Sequence, residues 1–313
     1  MQPQQMPLAV DLDGTLIKTD LLIESFLALI KKNPLYLFAA CWWLRKGKAA
    51  LKCAIAERVD LDVTVLPYNE DLLAYLRRQH AQGRSLALAT ASHHTYATQI
   101  AAHLGLFSHV LATDSQRNLA STNKAEGLCE LFGQGRFVYA GNARPDLAVW
   151  RVAAAAIVVC ASKQLTRLAQ KTTAIEHIFP VAKTGVKTYL KACRVHQWVK
   201  NTLIFVPVFA AHQLADKALL LQSATAFLAF SLCASSVYIL NDLLDLDADR
   251  RHPKKCTRPF AAGNIPAVQG IAMIPLLLLG SALLCATLPA TFALVLSLYY
   301  LATVAYSFSL NKK

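Results

Sequence analysis

Between residues 7 and 160 short apolar runs recur: PLAVD (7–11), SLALAT (85–90), SHVLATD (108–114), RFVYAG (136–141) and AAIVV (155–159). Stretches of helical periodicity separate them. Runs that are apolar at consecutive positions suit strands buried on both faces. Their alternation with helices predicts an α/β domain built on a parallel sheet. In such a sheet, polar and catalytic groups gather beyond the carboxyl ends of the strands. Residues 20–80, between the first two runs, read as a helical insertion, a cap.

Past residue 200 the pattern changes. Residues 218–241 carry no charge, and no Asp, Glu, Lys, Arg or His occurs from 259 to 311. A bilayer core needs about 20 apolar residues. The spans expected are about 201–215, 218–240, 270–287 and 290–309, an all-α transmembrane domain of about four helices. The first is short and contains a proline, and a buried core helix is its alternative. Lys183, Lys187, Lys191, Arg194 and Lys200 precede it, and Arg250, Arg251, Lys254, Lys255 and Arg258 separate the second and third. With Lys312 and Lys313 closing the fourth, four spans put every basic cluster on one side. By the positive-inside rule that side is cytoplasmic, and the N-terminal domain lies there.

Composition agrees. Of 313 residues, 55% are hydrophobic and 16% charged, against about 25% charged in an ordinary soluble domain. Mean hydropathy is +0.36. An integral membrane protein is expected. The N-terminus lacks the basic and apolar regions of a signal peptide. Eight cysteines are scattered without a CxxC pair, which argues against a disulfide scaffold or a zinc site. The net charge of +13 sits at membrane edges rather than on an aromatic-laced basic face, so nucleic acid is not an expected partner. Six basic residues and no acid lie from Ser25 to Ala56, around NPLYLFAACWWL (33–44). That combination suits a segment resting on an anionic leaflet. A cap helix packed on its own core is the other reading.

Candidate chemistry lies at the strand ends. The first run leads into Asp11-Leu-Asp13-Gly14-Thr15, the second ends in Thr90, Lys124 follows the third, and the fourth leads into Gly141-Asn142-Ala-Arg-Pro-Asp146. This ordered set resembles the four motifs of the haloacid dehalogenase (HAD) phosphatases. The resemblance implies a Rossmann-like domain in which Asp11 is the nucleophile and Asp13 the acid and base. It implies that Thr90 and Lys124 bind phosphate, and that Mg²⁺ is held by Asp11, Asp13 and the fourth motif (Asn142, Asp146). That motif is usually GDxxxD. Here Asn142 removes one negative charge, which predicts weaker Mg²⁺ binding. A phosphatase-like domain kept only for binding is the alternative.

The second span runs into NDLLDLDADRRHPKKCTRPFAAG (241–263). On a continuous helix Asp242, Asp245 and Asp249 share one face, with Asp247 opposite. Carboxylates at a membrane edge are costly unless compensated, and divalent metal with diphosphate compensates them. The segment resembles the first aspartate-rich motif of the UbiA superfamily of intramembrane prenyltransferases. HQWVKN (196–201) resembles the entry to that superfamily's first helix, in the branch that makes polyprenyl-phosphate sugars. The resemblance implies Mg²⁺ on Asn241, Asp242, Asp245 and Asp249, and diphosphate on Lys200, Asn201, Lys255 and Arg258. Its implied partners are a polyprenyl phosphate or prenyl diphosphate lipid and a phosphorylated small molecule. That superfamily carries further helices and a second aspartate motif, so the reading expects a chain cut short.

The domains expected are a HAD-like hydrolase over 1–180 with its cap at about 20–80, a basic linker over 181–200, and a partial UbiA-like domain over 201–313. The function expected is a Mg²⁺-dependent prenyl or phosphoribosyl transferase fused to a phosphatase. A membrane-tethered phosphatase and a non-enzymatic remnant are the alternatives.

Overall fold

The computed structural model describes residues 6–114, 117–181 and 184–309. The chain divides into two units, 1–30 with 35–183 and 31–34 with 184–313.

The first unit is built on six parallel strands: β1 (Leu8–Val10), β2 (Leu86–His93), β3 (His109–Thr113), β4 (Val138–Gly141), β5 (Ala155–Val159) and β6 (Ala174–Phe179). Their order is β3-β2-β1-β4-β5-β6, which puts β1 in the interior of the sheet. Leu8 pairs with Leu86 on one side and Val138 on the other, and all of β1 is buried.

Alternation along the strands sorts the core into two layers. Leu8, Val10, Leu86, Leu88, Val138 and Ile157 face one side. Ala9, Ala87, Ala89, Tyr139, Ala156 and Val158 face the other, where small alanines admit Phe137 and Trp150. The five expected strands form. A sixth, β6, also forms, and its Glu176-His177 pair hides it from a search for apolar runs. It is an edge strand with most of its residues partly or fully exposed, so it needs no unbroken apolar sequence.

Glu176 is nonetheless nearly buried. Arg84, at the start of β2, pairs with it through two nitrogens at 2.7 and 3.0 Å, and the Tyr75 hydroxyl donates to it at 2.7 Å. Arg84 also donates to the Met6 carbonyl at 2.8 Å. This bidentate pair ties the sheet edge to the start of β2.

Between β1 and β2 lie the helices Leu21–Lys32, Tyr36–Arg45, Lys48–Ala56 and Glu70–Ala81. All four lie in the stretch of about 20–80 expected as a cap.

In the second unit, three helices among the described residues are long and apolar enough to cross a membrane: Lys217–Leu244, Ala267–Cys285 and Ala290–Phe308. The Asp216 side chain caps the first, accepting from the N–H groups of Ala218 and Leu219 at 2.9 and 3.0 Å. Its small residues let neighbours approach: Ser281 donates to the Ala229 carbonyl at 2.8 Å. Leu276, Leu283, Leu294 and Leu298 point outward, as lipid-facing side chains do. The stretch 201–215 is built differently from its expectation. 3₁₀ turns cover Val195–Phe205 and a short helix covers Val206–Ala210. Pro207 starts that helix, and His212 at φ +54 ends the run.

Burial pushes the Glu176 pKa up, but the bonds from Arg84 and Tyr75 outweigh it and hold the group below its ordinary 4.5. A depressed carboxylate contributes stability above its unfolded pKa and loses it as pH falls through the folded one. Arg84→Met, which leaves Glu176 buried and unpaired, is expected to cost about 3 kcal/mol, read as a fall in the thermal midpoint in detergent at pH 7. The difference should shrink as pH falls through the lowered pKa of Glu176 and the group protonates.

Candidate functional site

β1 delivers Asp11 to the carboxyl edge of the sheet, where its N–H still bonds the Ala140 carbonyl at 2.9 Å. The chain then turns through Gly14 at φ +71, where a Cβ would lie 2.2 Å from Asn142 Nδ2. Glycine is therefore required on both backbone and steric grounds. The turn brings Asp13 beside β2. Asp13 Oδ1 accepts from the Leu21 N–H at 2.8 Å and Oδ2 from the Ser92 hydroxyl at 2.6 Å. Thr90 is fully buried, and its hydroxyl oxygen accepts from the Ser92 N–H at 2.9 Å.

Lys124 enters from the first turn of the helix Thr122–Phe132. Its Nζ donates to Asp11 Oδ1 at 2.7 Å and to the Tyr139 hydroxyl at 2.8 Å. Tyr139 in turn donates to Asp146 Oδ1 at 2.9 Å. Asp146 Oδ2 accepts from the N–H groups of Asn142 and Ala143, both at 2.9 Å. Asp146 therefore anchors the loop after β4 rather than offering open oxygens. A Cβ at Gly141 would lie 2.6 Å from that carboxylate.

These groups are desolvated. Burial, aided by the charge of Asp146 and opposed by that of Lys124, raises Asp11 to about 6. Burial and the charge of Asp20 raise Asp13 to about 7. Burial pulls Lys124 down, but Asp11 and Asp146 outweigh it and hold it above its ordinary value.

A carboxylate held against a lysine, beside a second carboxyl with a raised pKa, suits nucleophilic attack coupled to proton transfer. Among the described residues no three His, Cys, Asp or Glu side chains converge as a metal site. Asp11 and the Asn142 amide, which lies against the Gly14 turn, offer oxygens here, and the Asn142 side chain makes no hydrogen bond among the described residues. That set fits Mg²⁺, which needs few protein ligands because it keeps several waters.

Three members of this site carry no sequence signal. Tyr139 reads as strand core, and Ser92 as a polar residue past the second motif. Lys52, on the helix Lys48–Ala56, reads as one of a basic run. Its Nζ donates to the Ala91 carbonyl at 2.6 Å and to Asn118 Oδ1 at 3.0 Å. Burial holds it below its ordinary pKa.

The second unit gathers its own charged cluster. The helix Lys217–Leu244 ends at Asp245, and a short helix, Leu246–Arg251, follows. Asp242 and Asp249 are buried, at 3% and 1% exposure. Arg258 Nη1 donates to both, at 3.1 Å to Asp242 and 2.6 Å to Asp249. Arg194 also donates to Asp242, and Lys255 Nζ lies 3.9 Å from Asp249. Asp247 pairs with Arg251 on the exposed side. Asn241, Asp242, Asp245, Arg194, Lys255 and Arg258 line a cavity of about 250 Å³.

Of the residues expected to hold diphosphate, Lys255 and Arg258 are here. Lys200 and Asn201 are not; Asn201 donates to the Ser231 hydroxyl at 2.9 Å. Arg194, two residues before HQWVKN in the same basic run, lines the cavity instead.

Residues 202–313 match the UbiA prenyltransferase family, and residues 8–130 match the haloacid dehalogenase-like hydrolases. The chain joins a HAD-like domain to a UbiA-family domain. An uncharacterised protein of Sinorhizobium fredii, y4nM, is 38% identical over 99% of this chain and 60% of its own length. The decaprenyl-phosphate phosphoribosyltransferase of Mycolicibacterium smegmatis is 37% identical over 135 residues, 41% of this chain and 42% of that protein. The chain thus spans between two fifths and three fifths of these relatives. A solved phosphoserine phosphatase in its apo form aligns over 56% of this chain and 93% of its own, at 14% identity and a TM-score of 0.40. The HAD-like domain carries the Asp11–Lys124 site and the UbiA-family domain the Asp242–Asp249 cluster.

Arg258→Met leaves two buried carboxylates facing one another with less compensation. Because Arg258 is about a quarter exposed, part of the cost is screened. A loss of about 2 kcal/mol is expected, measured as a lowered thermal midpoint of the UbiA-family domain in detergent.

Proposed function

We propose that the UbiA-family domain transfers a phosphorylated sugar to a polyprenyl phosphate and that the HAD-like domain removes phosphate from the product. The observation that carries this reading is the paired arrangement at Asp11. A buried nucleophilic carboxylate touches Lys124 at 2.7 Å, with Asp13 two residues on. The 37% identity to a decaprenyl-phosphate phosphoribosyltransferase supports the substrate class of the other domain.

In the phosphatase, Asp11 attacks phosphorus and the ester oxygen leaves with the proton of Asp13. Asp13 then takes a proton from water, which hydrolyses the aspartyl-phosphate. The Thr90 hydroxyl donates to a phosphate oxygen, and Lys124 offsets its charge. Asp11, the Asp13 carbonyl and Asn142 would hold Mg²⁺, which supplies charge neutralisation. In the transferase, Arg194, Lys255 and Arg258 release carboxylates to grip diphosphate oxygens. Asn241, Asp242 and Asp245, which line the cavity, would hold the Mg²⁺ that accompanies them. The N-terminal domain is read as cytoplasmic.

The test uses the full chain in proteoliposomes with phosphoribosyl diphosphate and polyprenyl phosphate. Asp245 lines the cavity and pairs with Lys31 at 2.7 Å rather than with either arginine, so the activity of Asp245→Asn is read beside its thermal midpoint, which separates lost chemistry from lost folding. The substitution should cut formation of lipid-linked sugar about 100-fold. Asp11→Asn should leave transfer intact and let the phosphorylated lipid accumulate. Phosphate release that survives Asp11→Asn, or transfer that survives Asp245→Asn, overturns the corresponding assignment. A second reading is a membrane-tethered phosphatase, in which the three span-length helices only anchor the Asp11–Lys124 site. Phosphate release from a soluble sugar phosphate with no lipid product would select it.

Asn142→Asp restores one negative charge at the metal position. It should lower the Mg²⁺ concentration needed for half-maximal phosphate release about tenfold.

A further inference from the structure

The helix Tyr36–Arg45 is apolar on two faces. Tyr36, Ala40 and Trp43 turn inward: Ala40 is buried, and Tyr36 and Trp43 pack on the core cluster of the first unit. Leu35, Phe38 and Trp42, at the same helical spacing, turn outward with 67%, 73% and 59% of their surface exposed. Leu37 and Leu44 flank them, also exposed. A helix that serves only as a cap needs one such face. Contiguous outward apolar side chains mark a surface that something covers.

The charges around this face identify the cover. Arg45, Lys46 and Lys48 are all exposed at its end, and no acidic residue occurs from Ser25 to Ala56. Lys46 Nζ lies 5.8 Å from the Trp42 ring centroid. An outward Phe and Trp beside a fringe of one sign suit the boundary between acyl chains and anionic headgroups. The three span-length helices of the same chain keep a bilayer at high effective concentration.

We infer that the outward face of Tyr36–Arg45, with Arg45, Lys46 and Lys48, docks on an anionic bilayer surface. Phe38 and Trp42 enter the headgroup–acyl boundary and the three cations meet lipid phosphates. A phosphatase whose cap lies on the bilayer takes its substrate from the lipid plane. That consequence rests on the proposed lipid-linked product, but the docking itself does not.

The experiment uses the full chain reconstituted in vesicles. A fluorescent amino acid replaces Phe38, or Lys163 on an exposed helix as the control. The probe is acyl-brominated phosphatidylcholine, with or without phosphatidylglycerol, at low salt. Bromine sits only within the bilayer and quenches only what enters it. Quenching at position 38 should exceed that at 163 about threefold in the anionic vesicles. It should fall about threefold without phosphatidylglycerol, or when Arg45→Gln, Lys46→Gln and Lys48→Gln are combined. These are exposed positions, so the combined variant should fold. Equal quenching at 38 and 163 overturns the docking. Strong quenching indifferent to anionic lipid and to the three glutamines overturns the part assigned to the cations. No bromine quenching, with crosslinking between chains that grows with protein density, would assign the face to a second copy and overturn the lipid.

Discussion

A carboxylate taken out of water must be met by a cation or by N–H and O–H donors, or it gives up its charge. This constraint organises both units. In the first, Asp11 meets Lys124, and Asp146 is met by Tyr139 and two backbone N–H groups. In the second, Asp242 and Asp249 share Arg258. The first joins Asp11 to a lysine 113 positions away, so it forms only with the folded sheet, whereas the second is closed within residues 242–258. The same low dielectric that makes these pairs costly to break makes them responsive to a phosphate. A bound phosphate competes for the lysine or arginine directly.

The sheet supplies the rigidity such a cluster requires. Because β1 is paired with β2 on one side and β4 on the other, Asp11 at its end is held in place. The neighbouring strands then deliver Thr90 and the loop after Gly141 to the same edge. Two glycines set the closeness. At Gly14 and Gly141 a side chain would collide with Asn142 and Asp146 respectively. Precision here comes from parallel strand ends meeting at a point.

Much of this was legible in sequence because it is local. The strand runs, the ordered acidic and basic motifs and the uncharged stretches each announce themselves within a short window. What escaped depends on tertiary approach. Tyr139 is a strand residue whose ring sits in the core while its hydroxyl bridges Lys124 and Asp146. Lys52 belongs to the cap and reaches a β2 carbonyl. Arg194 stood among other basic residues, and only the fold separates it from Lys200. On one continuous helix the three aspartates would share a face. The helix breaks at Asp245, yet Asp242 and Asp249 still meet at Arg258, from beyond the break. Near residue 207 apolar composition pointed to a span, and backbone preference gave turns. β6 was lost for the converse reason: at a sheet edge, pairing along one side suffices for a strand that carries Glu176 and His177.

Asn142 shows how one atom can alter a site without altering its shape. Asparagine and aspartate have the same size, so the contact with Gly14 and the anchoring by Asp146 are indifferent to the exchange. Only charge differs. Burial already raises Asp11 and Asp13 toward neutrality, and a third carboxylate beside them would raise both further. The amide lowers that repulsion and also lowers the attraction for a divalent cation. The site with asparagine is therefore easier to bury without metal and weaker in holding it. Under the proposed reaction its metal occupancy would depend more on the phosphate itself, whose oxygens would supply the missing negative charge. Metal and substrate would bind this site together more than in sequence.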